Sequence, residues 1–301
     1  MGGQMRVLVF DIGGTSIKYG YCIDNQLVES HETPTEAKKG GRHIVDTLVS
    51  LIEKQEGYDA IGISTAGQVN AEGGFIIYAN ENIPGYTGTR IKAELEEKFH
   101  VPVVVENDVN SAATGEAIYG AGRDYEDFLC LTYGTGVGGA IVQNKKVFHG
   151  SSFSAAEFGA IVTHAEARIA STDYFDGCYE RYASTTALVK MAMAYDPKLE
   201  NGRKIFENLH DPKVMEILDR WVDEIMVGLA TLTHIFNPKC IVLGGGIMVQ
   251  PLIMELIRKK VDKYIMPSFA HVDIRSAELG NSAGLLGACY LAMQQYQAAN
   301  H

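Results

Sequence analysis

A chain of 301 residues with 46% hydrophobic and 21% charged residues can bury a large core, which excludes a disordered, collagenous or disulfide-stapled miniprotein. Lys plus Arg number 26 against 37 Asp plus Glu, and the net charge of −11 argues against nucleic acid or an anionic membrane as the main partner. The five cysteines, Cys22, Cys130, Cys178, Cys240 and Cys289, are odd in number and contain no Cys-x-x-Cys pair, so each reads as a small buried hydrophobe in a reducing compartment. The first ten residues hold no apolar core of signal-peptide length and no window of about 18 apolar residues occurs, which predicts a cytoplasmic protein.

Apolar runs of strand length alternate with helical patterns, which predicts an α/β protein. In chain order, the sequence predicts a strand over 6–10, a Gly-rich turn over 11–15, a returning strand over 17–23 and a third over about 26–31. A helix follows near 44–54, then a strand over 60–64, a loop rich in Gly and Asn, a helix near 90–99 and a strand over 101–105. Asn107 is placed to cap a helix running toward Tyr119. A second strand–Gly turn–strand unit begins at 128, with its turn at Gly134-Thr-Gly-Val-Gly-Gly139, about 120 residues after the first, a spacing that suggests a duplicated half. Val214, Ile217, Leu218, Trp221, Val222, Ile225, Leu229 and Leu232 keep helical spacing up to Asn237-Pro238 and read as core. A strand over 240–243 meets Gly244-Gly245-Gly246, and a last helical pattern covers about 282–295.

Each of the three Gly-rich turns directly follows a strand. Glycine lets backbone N–H groups approach a phosphate unhindered, and consecutive amides form an anion-binding concavity. None of these turns matches Gly-x-Gly-x-x-Gly followed by a helix, as in a Rossmann unit, and none carries the Gly-x4-Gly-Lys-Ser/Thr of a P-loop. A lone Gly-Gly turn is an ordinary hairpin; two at equivalent places in duplicated halves are harder to explain that way.

Phe10-Asp11-Ile12-Gly13-Gly14-Thr15, Glu106-Asn107-Asp108-Val109-Asn110, Gly134-Thr135-Gly136-Val137-Gly138-Gly139, Glu157-Phe158-Gly159 and Gly244-Gly245-Gly246-Ile247 occur in this order. The ordered set resembles the ROK family of sugar kinases and related repressors within the actin-like ATPase superfamily, from about Val7 to about Tyr290. The resemblance implies a two-domain actin-like ATPase (ribonuclease H-like) fold with duplicated βββαβαβα halves. A smaller N-terminal domain is expected over 1–118, joined by a C-terminal helix at about 283–301, and a larger domain over 119–282. It also implies ATP and Mg²⁺, nucleotide-driven domain closure and a homodimer.

Residue by residue, Asp11 matches the acidic residue that holds Mg²⁺ through water, with turn capping as its plainer reading. Gly13, Gly14 and Thr15 match the first phosphate loop, and Thr135 and Gly136 match the second. Gly244 and Gly245 match the adenosine-side loop, or a simple strand-to-helix turn. Asp108 matches the catalytic base, since an attacking sugar hydroxyl must lose a proton and a helix N-terminus favours an ionised carboxylate. Asn107 matches a sugar-hydroxyl contact, while Asn82 and Gly67 resemble the family's sugar loop and its backbone contact. Glu157 and Glu180 match acidic residues at the sugar.

The resemblance breaks in two places. The family's Glu-x-Gly-His reads Glu157-Phe158-Gly159-Ala160, and of its Cys cluster only Gly177-Cys178-x-Glu180 remains, so no zinc site is expected. His164 reads as a loop or core histidine. Losing the His at Ala160 removes a bulky donor beside the anomeric end of the sugar, and the zinc-less pattern resembles a subgroup that includes bacterial β-glucoside kinases. The expected activity is phosphorylation of the 6-hydroxyl of glucose or of a β-glucoside. The alternatives are an N-acetylmannosamine or other hexose kinase, and a non-catalytic sugar sensor. A repressor is disfavoured because Asp11 lies ten residues from the start and the chain is acidic.

Overall fold

The computed structural model describes residues 4–299; residues 1–3 and 300–301, which the expected domain limits include, lie outside the described residues. The chain divides into two units. The first comprises Met1–Gly120, Lys145–Ala155 and Asn281–His301, and the second Ala121–Asn144 and Ala156–Gly280.

In the first unit β1 (Arg6–Ile12), β2 (Ser16–Ile23) and β3 (Gln26–Pro34) form an antiparallel meander. α1 (Gly41–Ile52) then leads to β4 (Ala60–Thr65), which runs parallel to β1, and α2 (Ile91–Phe99) leads to β7 (Val103–Asn107), parallel to β4. The sheet order is β3-β2-β1-β4-β7. Between β4 and α2 the Gly- and Asn-rich loop contains a small hairpin, β5 (Gln68–Asn70) and β6 (Phe75–Tyr78). β7 starts two residues later than the expected 101–105, because Pro102 has no N–H to give a ladder.

Both faces of this sheet are covered, so its central strands read as near-continuous apolar runs. Leu8, Phe10, Ile61, Ile63, Val103 and Val105 pack with Ile44 and Leu48 of α1 on one side. Val7, Val9 and Ala60 pack on the other with Leu285, Cys289 and Ala292 of α10 (Ala283–Ala299). α10 also lies against α3 (Asp108–Tyr119). That approach requires Gly287, where a Cβ would stand 1.8 Å from the carbonyl oxygen of Ser111.

The second unit repeats the plan. β8 (Phe128–Tyr133) pairs antiparallel with β9 (Val137–Gln143), β11 (Cys240–Gly244) runs parallel to β8, and β12 (Asp273–Ser276) parallel to β11. α4 (Ala165–Ile169), α5 (Glu180–Ala183), α6 (Thr185–Tyr195) and α7 (Gly202–Glu207) precede α8 (Pro212–Phe236). Asp211 caps α8 through the Lys213 N–H, and Asn237 ends it at φ 45. Its stripe of Trp221, Ile225 and Leu229 is core against Leu129, Leu131, Ile241 and Leu243. α9 (Pro251–Tyr264) connects β11 to β12. β10 (Lys146–Val147) is the edge strand beside β9, so the sheet order is β10-β9-β8-β11-β12, and the Lys145–Ala155 stretch that begins there is grouped with the first unit. No described helix is long and apolar enough to cross a membrane.

Candidate active site

In the first unit, β1 turns into β2 through Gly13 and Gly14. The Gly13 N–H donates to Ser16 O at 3.0 Å, and the buried Thr35 braces the turn through its hydroxyl to Gly13 O at 2.6 Å. Gly14 and Thr15 are exposed, and a Cβ at Gly14 would meet nothing within 4 Å. Both line a cleft of about 690 Å³ together with Asn82, Lys38 and Lys39, so the expected phosphate loop and the expected sugar loop share one hollow.

Asp11 lies near the end of β1, opposite Ser64 of β4, whose hydroxyl donates to Asp11 Oδ1 at 2.6 Å. Burial raises the Asp11 pKa, against the lowering effects of the Ser64 bond and the Lys18 charge.

Asp108 is the first residue of α3, directly after β7. Asn107 caps the helix, its side-chain oxygen accepting from the Val109 and Asn110 N–H groups at 2.9 and 3.1 Å. Asn107 Nδ2 donates to Gly67 O and to Asp108 Oδ1, each at 2.9 Å, and the Val109 N–H reaches the same Oδ1 at 2.9 Å. These donors favour the carboxylate, yet burial and then the charge of Asp11 push the Asp108 pKa up to about 6.

Among the expected sugar contacts, Asn107 has its amide engaged in capping, in the Gly67 carbonyl and in Asp108. Asn82 is exposed, with its N–H on Asn80 Oδ1 at 3.0 Å. Tyr86, which closes the Asn82-Ile-Pro-Gly-Tyr86 loop, is fully buried and shares a 2.7 Å bond with Thr65.

An Mg²⁺ ion with its water shell fits this donor set. Two carboxylates, Asp11 and Asp108, raise the Asp108 pKa by mutual repulsion in a largely buried setting, and a hydrated divalent cation would offset that repulsion.

In the second unit, β8 and β9 are joined by residues 134–136 alone, because 137–139 of the expected turn already pair in β9; the turn is closed by the Gly134 N–H on Gly136 O and tied by the Thr185 N–H on Gly134 O, both 3.0 Å. The Glu180 carboxylate lies against it, so that a Cβ at Gly136 would stand 2.6 Å from Glu180 Oε2. Burial raises the Glu180 pKa; the Val137 N–H and Arg181 oppose that rise, and the charge of Glu157 adds to it. Glu157 is exposed just before the short turn 158–160.

Gly244 ends β11, and Gly245 follows at φ +103, where a Cβ would meet Tyr133 O at 2.1 Å, so the turn requires glycine. The next residues, Gly246 and Ile247, line a cavity of about 870 Å³ that also takes in Thr135, Val189, Phe206 and Gln250. Its size and its mixture of apolar walls and polar groups suit a nucleoside. α7, which supplies Phe206, has no counterpart among the sequence expectations. Cys178 is buried, its thiol directed at Ala160 O and Tyr174 O, and His164 stacks on Tyr182 with centroids 3.6 Å apart.

Two sheets with the same strand order, each opening on a glycine turn after its first strand, give the chain the actin-like ATPase fold. The ROK family profile matches residues 7–295. A beta-glucoside kinase of Listeria innocua is 33% identical, with 97% of this chain and 98% of the relative covered. The ROK hexokinase structure from Thermus thermophilus matches with a TM-score of 0.83 at 31% identity, covering 98% of this chain and all (100%) of that one. A ROK family glucokinase from Streptomyces griseus, solved in complex with glucose and AMPPNP, matches with a TM-score of 0.81 at 30% identity over 97% of this chain and 100% of that one. The chain belongs to the ROK family, and its class of activity is that of a carbohydrate kinase.

Proposed function

We propose that the protein transfers the γ-phosphate of ATP to the 6-hydroxyl of glucose or of a glucose-ended β-glucoside, with Asp108 as the general base. The observation that carries this reading is the placement of Asp108. Its carboxylate stands at a strand end and helix start, held by Asn107 and Val109, with a pKa of about 6 that lets it be ionised yet basic near neutrality.

In the proposed reaction the sugar O–H gives its proton to Asp108 while the sugar oxygen forms a bond to Pγ. The bond between Pγ and the β,γ-bridging oxygen breaks, and ADP leaves with that electron pair. Mg²⁺, held through water by Asp11, would supply charge neutralisation at the phosphates. The amides of Gly14 and Thr15 in the first unit, in a turn that Gly13 closes through its own N–H, and of Thr135 and Gly136 in the second, serve as phosphate contacts, with the turn at Gly244 and Gly245 shaping the nucleoside cavity. Asn82, Gly67, Asn107, Glu157 and Glu180 are the proposed sugar contacts, with Asn107 also fixing the base. The beta-glucoside kinase likeness and the Ala160 position, which has no bulky side chain, support acceptors that carry a group on the anomeric oxygen.

The test is an ATP-coupled screen of glucose, cellobiose, other β-glucosides, N-acetylmannosamine and fructose. Turnover on glucose or β-glucosides is expected. Turnover confined to N-acetylmannosamine or fructose would replace this reading by the other hexose kinases, and sugar binding without turnover would make the protein a sensor.

A further inference from the structure

Glu106 precedes the Asn107-Asp108 pair on β7 and is 2% exposed. A carboxylate so placed needs hydrogen-bond donors on both oxygens. Oε1 accepts from the Asn107 N–H at 2.8 Å and from Asn110 Nδ2 at 3.1 Å, both at the start of α3. Oε2 accepts from His149 Nε2 at 2.7 Å, a donor 43 residues farther along the chain.

His149 is half-buried beside Phe153, with ring centroids 5.8 Å apart. It lies in Lys145–Ala155, the stretch that returns to the first unit. The same stretch is fastened by Lys145 Nζ on Ala117 O at 3.1 Å, near the far end of α3, and by Ser154 Oγ on Gln68 Oε1 at 3.0 Å. A continuous chain of bonds therefore runs from the His149 ring to the Glu106 carboxylate, to the Asn107 backbone, and through the Asn107 amide to Asp108.

The geometry points to His149 as a positioning residue for phosphoryl transfer: it holds Glu106, and Glu106 holds the Asn107–Asp108 corner that aims the base. This rests on the reading of Asp108 as the base. Without the His149 donor, Glu106 keeps one oxygen buried and unbonded and turns to recover a partner, which releases the Asn107 N–H. A displacement of about 1 Å at a reacting group costs on the order of 100-fold in rate. Asn107 is also one of several proposed sugar contacts, so KM for the sugar shifts modestly while the larger loss falls on kcat.

Two replacements separate the donor from the packing. His149→Phe keeps a ring beside Phe153 and has no donor; His149→Gln has an N–H that can reach Glu106 and no ring. The account expects kcat in His149→Phe to fall by about 10- to 100-fold, KM for glucose and for ATP to stay within about threefold, and His149→Gln to recover to within about fivefold of wild type. In an Asp108→Asn background, His149→Phe adds less than about a threefold loss, because both changes disable one unit.

A Gln variant as slow as the Phe variant, a raised KM at unchanged kcat, full additivity in the double variant, or a Phe variant that fails to fold beside a folded Gln variant would each overturn the proposal. Full turnover in His149→Phe with an inactive Asp108→Asn would sink this proposal alone. Full turnover in Asp108→Asn would sink the base assignment and this proposal with it.

Discussion

Asn107 Nδ2 lies 2.9 Å from Asp108 Oδ1, so the orientation of the proposed base is set by the residue next to it in the chain. Two opposing influences meet on this carboxylate. The Val109 and Asn107 donors favour its charge, while burial and the Asp11 carboxylate disfavour it, and the second pair wins to give a pKa of about 6. A base works only when ionised. The kcat/KM of the free enzyme for sugar is therefore expected to rise with pH through about 6 and to level above it. A profile flat from pH 5 to 8 would contradict the assignment.

Asp108→Asn separates catalysis from stability. Turnover is expected to fall by about 10²- to 10⁴-fold while equilibrium sugar binding persists. The folded-state pKa of Asp108 is raised above the ordinary 3.8, so the folded state binds the proton more tightly than the unfolded chain. Stability is consequently lost as pH rises from about 4 to about 6, and at neutral pH the charge costs on the order of 1 to 3 kcal/mol. The Asn variant should melt higher than wild type at pH 7.5 and show little difference at pH 4, as read by thermal unfolding.

The His149–Glu106 bond gives the same direction with pH for a different reason, since here folding favours the charged form. Its hydrogen bond to Glu106 is the main cause that raises the His149 pKa, with burial working against it. The stabilisation is present below the ordinary histidine value and fades as pH rises through the folded-state value. The unfolding midpoint of His149→Gln is expected to fall farther below wild type at pH 6 than at pH 8.5.

Gly287→Ala tests the seat of α3. The new Cβ would stand 1.8 Å from Ser111 O, and backbone cannot yield there without moving α10 off α3. A destabilisation of at least about 3 kcal/mol is expected, measured by denaturant unfolding. Any folded fraction should also be slow, because α3 carries Asp108 at its first position.

Ala160→His probes acceptor choice. Position 160 is exposed and follows Glu157 by three residues. A returned imidazole is expected to lower kcat/KM for β-glucosides by about tenfold or more relative to glucose, through steric loss of the attached group. Equal effects on both acceptors would remove Ala160 from the account of specificity.

What was legible in the sequence was local. Asn107 is a strong cap followed by a helical pattern, and the structure has it capping Asp108–Tyr119 through two N–H groups. The stripe from Val214 to Leu232 became the core face of α8 because its period is that of a helix. The β5–β6 hairpin was hidden in a loop rich in Gly and Asn, and α7, with its Phe206 wall, is too short to show a period. His149 carried no signal at all: one histidine between Phe148 and Gly150 has no motif, and its meaning comes from a bond to a residue 43 positions away. The return of Lys145–Ala155 to the first unit is of the same kind, a long-range pairing that local pattern does not encode.

The central claim is most directly tested by supplying purified protein with MgATP and either glucose or cellobiose and locating the new phosphate by phosphorus–proton correlation NMR. The account predicts phosphate on the C6 oxygen of glucose, and of a glucosyl unit of cellobiose, with stoichiometric ADP. Phosphate at any other position, or transfer only to an N-acylated amino sugar, would contradict it.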